Sequence, residues 1–328
     1  PSERQFNFIN DSIGSKEHRD IARQAVRESL VLLKNNENIL PLDPDSTILV
    51  VGKGSRDISK ASGGWSFTWQ GTGNTNNNFP GSTTIYEGIE DFVLKAGGNV
   101  SYSSDGSYSE KPDSAIIVVG ENPYAEYQGS VENLAFENNE IDHLKIAHSL
   151  RKDGISVTYI FLSGRPLWVN KELNSSDAFV AAWLPGTEGD GIAEVIFAQT
   201  IEGNPVDFKG KLPFSWPKTI NQTNLNFWDA DYDPLFEYGY GLTYLERSDL
   251  GQLNENDQFT KKLKLGDVLL QGWPSPKFKV YVGFLNNTFE LEGKSVGSPN
   301  GEVFVQIVDG KLQEDAHRVA LNVGSSKW

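Results

Sequence analysis

Two carboxylates set five residues apart among tyrosines give this sequence its clearest chemical signal. The segment Val119-Gly120-Glu121-Asn122-Pro123-Tyr124-Ala125-Glu126-Tyr127-Gln128-Gly129 follows a strongly apolar run, Ser114–Gly120. In open α/β sheets, ligands bind beyond the carboxyl ends of the strands. Pro123 and Gly129 bracket a loop that presents Glu121 and Glu126. A carboxyl group beside aromatic surface is expected to have a raised pKa, as a general acid near neutral pH requires. Taken alone, the pair reads as readily as solvated loop charge, and no activity follows from it.

A second loop, Ala61-Ser62-Gly63-Gly64-Trp65-Ser66-Phe67-Thr68-Trp69-Gln70-Gly71, runs into an Asn-rich stretch ending at Phe79. Flat indole faces among hydroxyls and amides suit stacking on a sugar ring, and each Trp reads as readily as a buried loop anchor. The remaining patterns mainly exclude. Gly52-Lys53-Gly54 supplies two glycines of a dinucleotide fingerprint, but Asp57 takes the third place. A Gly/Ser/Trp loop follows instead of a helix pattern, so no nucleotide is expected. His18, His143, His148 and His317 lack ligand spacing and read as surface or capping residues, with no metal site. Leu162-Ser163-Gly164-Arg165-Pro166 lacks the glycine a nucleophile elbow needs two places before its Ser, and reads as a strand-end turn.

The elements that must position these loops alternate. An amphipathic helix is expected over Lys16–Lys34, with Ile21, Ala25, Leu30 and Leu33 near helical spacing. Ser46–Gly52 reads as a strand buried on both faces. Residues 83–96 read as a helix, Asn99–Ser103 and Ser114–Gly120 as strands, 137–152 as a helix, and 155–162 and 178–183 as strands. Thr187 is expected to cap a helix over 188–198, and Lys211–Trp216 closes the series. This predicts an α/β sandwich, helices on both faces of a mostly parallel sheet, over residues 16–246. Residues 1–15 read as a linker or arm. Residues 247–328 read as a β-rich extension, with short segments at Lys277–Phe284, Thr288–Leu291 and Val303–Val308.

Composition narrows the chemistry. The 328 residues include no Cys, which removes disulfides, thiolate metal sites and a Cys nucleophile. A net charge of -15 repels a polyphosphate, so nucleic acid is not an expected partner, while neutral sugars are not penalised. No apolar run approaches the ~20 residues of a membrane span. There is no Met, and the chain opens Pro1-Ser2-Glu3 without an apolar signal core, so a piece of something longer is expected.

The motifs, taken in order, resemble glycoside hydrolase family 3, in its exo-β-glucan glucohydrolase and β-glucosidase branch. The carriers are HRDIARQAVRESLVLLKN (18–35) with LPL (40–42), GGWSFTWQG (63–71), VVGENPYAEYQG (118–129), SGRPL (163–167), AAWLPGTEGDGIAEVIF (181–197), GKLPFSW (210–216) and DADYDPLFEYGYGLTY (229–244). The resemblance implies a sandwich domain packed on an N-terminal (β/α)8 barrel that supplies an Asp nucleophile. It implies Glu126 as acid/base and Trp69 as one side of an aromatic clamp on the sugar. Trp65 matches the motif without being the clamp residue, and Glu121 shapes the loop. Retaining, exo-acting hydrolysis of β-1,3- or β-1,4-linked glucans or β-glucosides follows, with a β-glucan oligosaccharide or glucose as ligand. No cofactor is expected, and the location is extracellular or periplasmic. The rival expectation is a non-catalytic carbohydrate-binding module using Trp65, Trp69 and Trp183, or a structural partner domain. No barrel pattern precedes residue 16, and the stretch after about 247 carries no matching segment, although some bacterial members have an extra C-terminal domain.

Overall fold

A computed structural model describes residues 13–137, 140–246 and 248–256, and the backbone of short strands between 269 and 321. Most of the expected arm lies outside the described residues. The chain divides into two compact units, Pro1–Phe259 and Thr260–Trp328.

Four apolar runs form the centre of the first unit: β2 (Thr47–Val51), β4 (Ser114–Gly120), β5 (Ser156–Leu162) and β6 (Ala178–Trp183). With β1 (Val31–Asn35) and β3 (Asn99–Ser103) they make one sheet, in the order β1-β6-β5-β4-β2-β3. All neighbours are parallel except β1, which runs antiparallel to β6. Because successive side chains alternate faces, each run feeds two cores. Ile116 and Val118 join Ile89, Phe92 and Ile192 beneath α1 (Lys16–Ser29), α3 (Ile85–Ala96) and α6 (Gly189–Ile196). Ile117 and Val119 join Leu150, Phe161, Leu173 and Trp216 beneath α4 (His143–Lys152) and α5 (Asn170–Asn174). The expected α/β sandwich is therefore what the chain builds. Arg19, Arg23 and Arg27 of α1 pair with Glu188, Asp190 and Glu194 along α6, tying those two helices edge to edge.

Several elements differ from their sequence reading. The expected helix over Lys16–Lys34 stops at Ser29, and its last residues become β1, buried throughout. Four consecutive apolar residues, Leu30–Leu33, cannot share one helix face. As a strand they divide between the two cores. The fourth helix begins at His143 rather than at 137, because the Asp142 side chain accepts the Lys145 N–H as its cap. Thr187 does not cap α6; that position is Glu188, and its side chain makes no cap bond. Lys211–Trp216 adds no strand to the sheet. Pro213 has no N–H for a ladder; Leu212 N–H donates to the Tyr240 carbonyl and Trp216 N–H to the Phe236 carbonyl, while their own carbonyls accept from Gly239 and Leu235.

The second unit is described as strands only. Two short hairpins pair β7 (Leu269–Leu270) with β8 (Trp273–Pro274) and β9 (Tyr281–Phe284) with β10 (Asn287–Glu290). β11 (Ser295–Gly297), β12 (Val303–Val308) and β13 (Ala316–Leu321) form a three-stranded antiparallel sheet. Of the expected segments, 277–280 and Leu291 lie outside the described residues. Residues 248–256 belong to the first unit. Leu250 bonds with Asn36, and Leu253 with Asn174.

Candidate active site

The two loops singled out in the sequence leave neighbouring strands and meet. The carboxylate loop begins where β4 ends, at Glu121. The aromatic loop follows α2 (Ile58–Ser62), which comes just after β2. Their contact depends on two glycines. A Cβ on Gly64 would stand 1.9 Å from the Tyr124 carbonyl oxygen. Gly71, at φ 72°, has no room for one either, with the Gly63 carbonyl oxygen 2.2 Å away. The aromatic loop is also tied to itself. The Asn74 amide donates to the Ser66 and Gly71 carbonyls, the Ser59 hydroxyl to the Gly71 carbonyl, and the Trp65 N–H to the Trp69 carbonyl. Beneath both loops the buried Lys60 ammonium donates to Glu140 and to the Gly120 carbonyl.

At this junction Glu126 is exposed, and its Oε2 accepts both indole N–H groups, from Trp69 at 2.7 Å and from Trp65 at 3.1 Å. The two rings lie 6.2 Å apart, with Tyr127 edge-on to Trp69 at 6.0 Å. Trp65 is 69% exposed and Trp69 47%, so their faces stay open after the N–H groups are used. The expected rise in the Glu126 pKa is not what this geometry gives. The Trp69 N–H bond and then the residue's own backbone N–H, with a smaller part from the Trp65 bond, hold the carboxylate below its ordinary value against the opposing effect of desolvation. Aromatic surface raises a carboxyl pKa by excluding water, but here the rings offer donors and leave water in place.

Glu121 occupies the opposite setting. Its Oε1 accepts Nε and Nη2 of Arg165 at 3.0 and 2.6 Å, and its Oε2 accepts Ser163 Oγ at 2.6 Å and the Tyr124 hydroxyl at 3.1 Å. The Arg165 guanidinium also stacks on the Tyr124 ring at 4.4 Å and donates to the Gly129 carbonyl. Burial, with Glu121 next, pushes the Tyr124 phenol up to about 12. The turn at Ser163–Arg165 is thus a brace for the carboxylate loop. A cavity of about 410 Å³ lies along that loop, lined by Glu121, Tyr124, Gln128 and Arg165 but by neither Glu126 nor Trp69.

Other candidates fall away from this corner. The Trp183 indole donates to the Ser29 carbonyl and lies 6.1 Å from the Trp216 ring. Gly52 packs against Val118, where a Cβ would come within 2.4 Å of its carbonyl oxygen; the one-turn α2 does follow, contrary to the sequence reading. His143 is buried rather than on the surface, with Nε2 2.9 Å from Glu172. His317 falls in a strand described by its backbone alone. Among the described residues no cluster of three or more His, Asp or Glu is placed to hold a metal ion, and no helix is long and apolar enough to cross a membrane. Sequence reasoning missed the Trp65 bond and the part played by Gln70, although both lie in the GGWSFTWQG motif.

Fold and corner together define an α/β sandwich domain with an indole-held carboxylate at the carboxyl edge of its sheet. Residues 30–244 match the Glycosyl hydrolase family 3 C-terminal domain, and the chain belongs to that family. It is 30% identical over 261 residues to the lysosomal beta glucosidase of Dictyostelium discoideum, covering 72% of this chain and 31% of that protein. To the periplasmic beta-glucosidase of Salmonella typhimurium it is 28% identical, covering 72% and 36%. Among solved structures, exo-1,3/1,4-beta-glucanase (ExoP) from a Pseudoalteromonas species superposes with a TM-score of 0.76 at 46% identity, covering 94% of this chain and 38% of that one. A single-residue variant of ExoP aligns at 54% identity and a TM-score of 0.72, covering 76% and 40%. The 94% coverage reaches beyond residue 246, so the extension, which matched no motif in the sequence, has a counterpart in ExoP. The chain spans about a third of the length of these curated relatives.

Proposed function

We propose that this chain supplies the acid/base of a retaining, exo-acting glycoside hydrolase acting on β-1,3- or β-1,4-linked glucans or β-glucosides. The observation that carries this is the exposed Glu126 carboxylate held by the Trp65 and Trp69 indoles at the carboxyl end of β4. The relatives' names, beta-glucosidase and exo-1,3/1,4-beta-glucanase, give the substrate class. Glu126 protonates the departing glycosidic oxygen while an Asp from an N-terminal (β/α)8 barrel attacks the anomeric carbon. Glu126 then takes a proton from the water that releases the sugar. The open face of Trp69 stacks on the sugar of the leaving group. An acid must carry a proton, and Glu126 here favours the ionised form. A barrel carboxylate ~5–5.5 Å away, together with exclusion of water, supplies the upward push. The periplasmic and lysosomal relatives support a compartment outside the cytoplasm.

The test compares this chain alone with this chain joined to its barrel. Alone it turns over aryl β-glucosides negligibly; substantial hydrolysis by the isolated chain overturns the assignment. Joined, Glu126→Gln loses most turnover of poor leaving groups, and azide partly restores reactive aryl glucosides. The two open indole faces also favour a second reading, sugar binding without chemistry, in which Glu126→Gln leaves glucan affinity and every rate untouched.

A further inference from the structure

Gln70 meets the carboxylate loop at two adjacent points. Its Oε1 accepts the Ala125 N–H at 2.7 Å, and its Nε2 donates to the Glu126 carbonyl at 3.0 Å. A donor and an acceptor side by side on one planar group are what a carboxamide has and a carboxylate or thioether lacks. The neighbouring residue, Trp69, grips the same glutamate by its side chain. Two consecutive residues of one loop thus hold the main chain and the carboxylate of a single residue in the other. We propose that Gln70 is a positioning residue that fixes the Glu126 carboxylate against the two indoles. This rests on the function proposed above only for its catalytic consequence.

The tip needs such a hold. Tyr127 sits at φ 72°, a conformation that a residue with a bulky side chain adopts only under constraint. The Gln128 N–H turns back to the Glu126 carbonyl at 3.0 Å, closing a tight bend around that strain. Without Gln70 the Ala125 N–H and the Glu126 carbonyl lose their hydrogen bonds to the aromatic loop. The bend relaxes, and the carboxylate leaves the indoles. The aromatic loop, held by Asn74, Ser59 and the Gly64–Tyr124 contact, stays where it is.

The test reads the indole N–H signals of this chain by NMR through the acid range, with Trp65→Phe and Trp69→Phe identifying two of the eight Trp. In the unmodified chain both signals titrate together, at a midpoint below the ordinary glutamate value of about 4.3. In Gln70→Met both responses shrink several-fold and the midpoint returns to about that value. Unchanged indole titrations in Gln70→Met overturn the proposal, as does their absence from the unmodified chain. If Gln70→Met does not fold, Gln70→Glu decides. It keeps the acceptor and sets a second negative charge beside Glu126, so the midpoint rises above the ordinary value; an unmoved midpoint overturns the proposal. In the barrel-joined protein, Gln70→Met lowers kcat for poor leaving groups about 10–100-fold with little change in KM or with activated aryl leaving groups. Equal loss for both leaving groups overturns the positioning role in catalysis. The titration needs no turnover. If Glu126 proves dispensable for hydrolysis, the enzyme reading falls while the Gln70 result stands.

Discussion

Glu121 and Glu126 leave the same strand within six residues and end in opposite circumstances. At the root, both Glu121 oxygens are taken by Arg165, Ser163 and Tyr124, with the guanidinium itself stacked and hydrogen-bonded to the loop. At the tip, Glu126 is held by neutral indole donors and faces water. The root carboxylate balances a partly buried cation, whereas the tip carboxylate accepts only two neutral hydrogen bonds. One short loop therefore separates the charge that anchors from the charge that can change. Residue type says nothing about which is which; the partners decide.

Four measurements can break or sharpen that contrast. The largest effect belongs to the tip. Glu126→Gln in the barrel-joined protein should lower kcat/KM on a glucan by at least about 100-fold, against less than about 10-fold for Glu121→Gln. Equal losses would erase the distinction. Second, Arg165→Met leaves the Glu121 carboxylate without its cation. It should lower the unfolding free energy by about 2–4 kcal/mol in urea titration, whereas Glu126→Gln costs little stability. Third, Trp69→Phe should raise the Glu126 pKa, and Trp65→Phe should raise it less, since its bond is the longer one. The sign follows from the depressed folded value. The stability Glu126 contributes is present above the ordinary glutamate pKa and lost as pH falls through the lower folded one, and both substitutions shrink that loss.

The smallest effect lies away from the loop and serves as its control. The Lys34 ammonium, buried and bonded to the Leu173 and Ser176 carbonyls, has its pKa pushed down to about 8 by burial. Between that value and its ordinary one near 10.4 the unfolded chain binds the extra proton, so stability should rise with pH across the interval. Lys34→Met should remove this rise, of about 1–3 kcal/mol, without touching the Glu126 titration.

Much of the fold was legible because its central strands are buried on both faces. ILVV, AIIVV and VTYIFL have no polar stripe to suggest a helix, and all became parallel strands. β1 was misread because VLLK continues a helical stretch without a Gly or Pro, and only pairing with β6 turns it out of the helix. Glu126 and Trp69 stood out by residue type and by their place in matching motifs. The direction of the Glu126 pKa did not, since it depends on which edge of each indole faces the carboxylate. Gln70 escaped notice for a similar reason: an amide in a loop looks like solvent-facing polarity until the backbone opposite is known. The buried His143–Glu172 pair is likewise invisible in the order of residues 29 positions apart.

The missing side chain at Gly64 has an evolutionary consequence. With the Tyr124 carbonyl lodged where a methyl group would stand, the two loops behave as one cast piece, and neither can be swapped for a relative's version alone. Chimeras exchanging only 63–71 or only 121–129 should lose the fit between the two indoles and the Glu126 carboxylate, whereas a joint exchange keeps it. Sequence change at this corner is thereby steered toward paired changes in both loops.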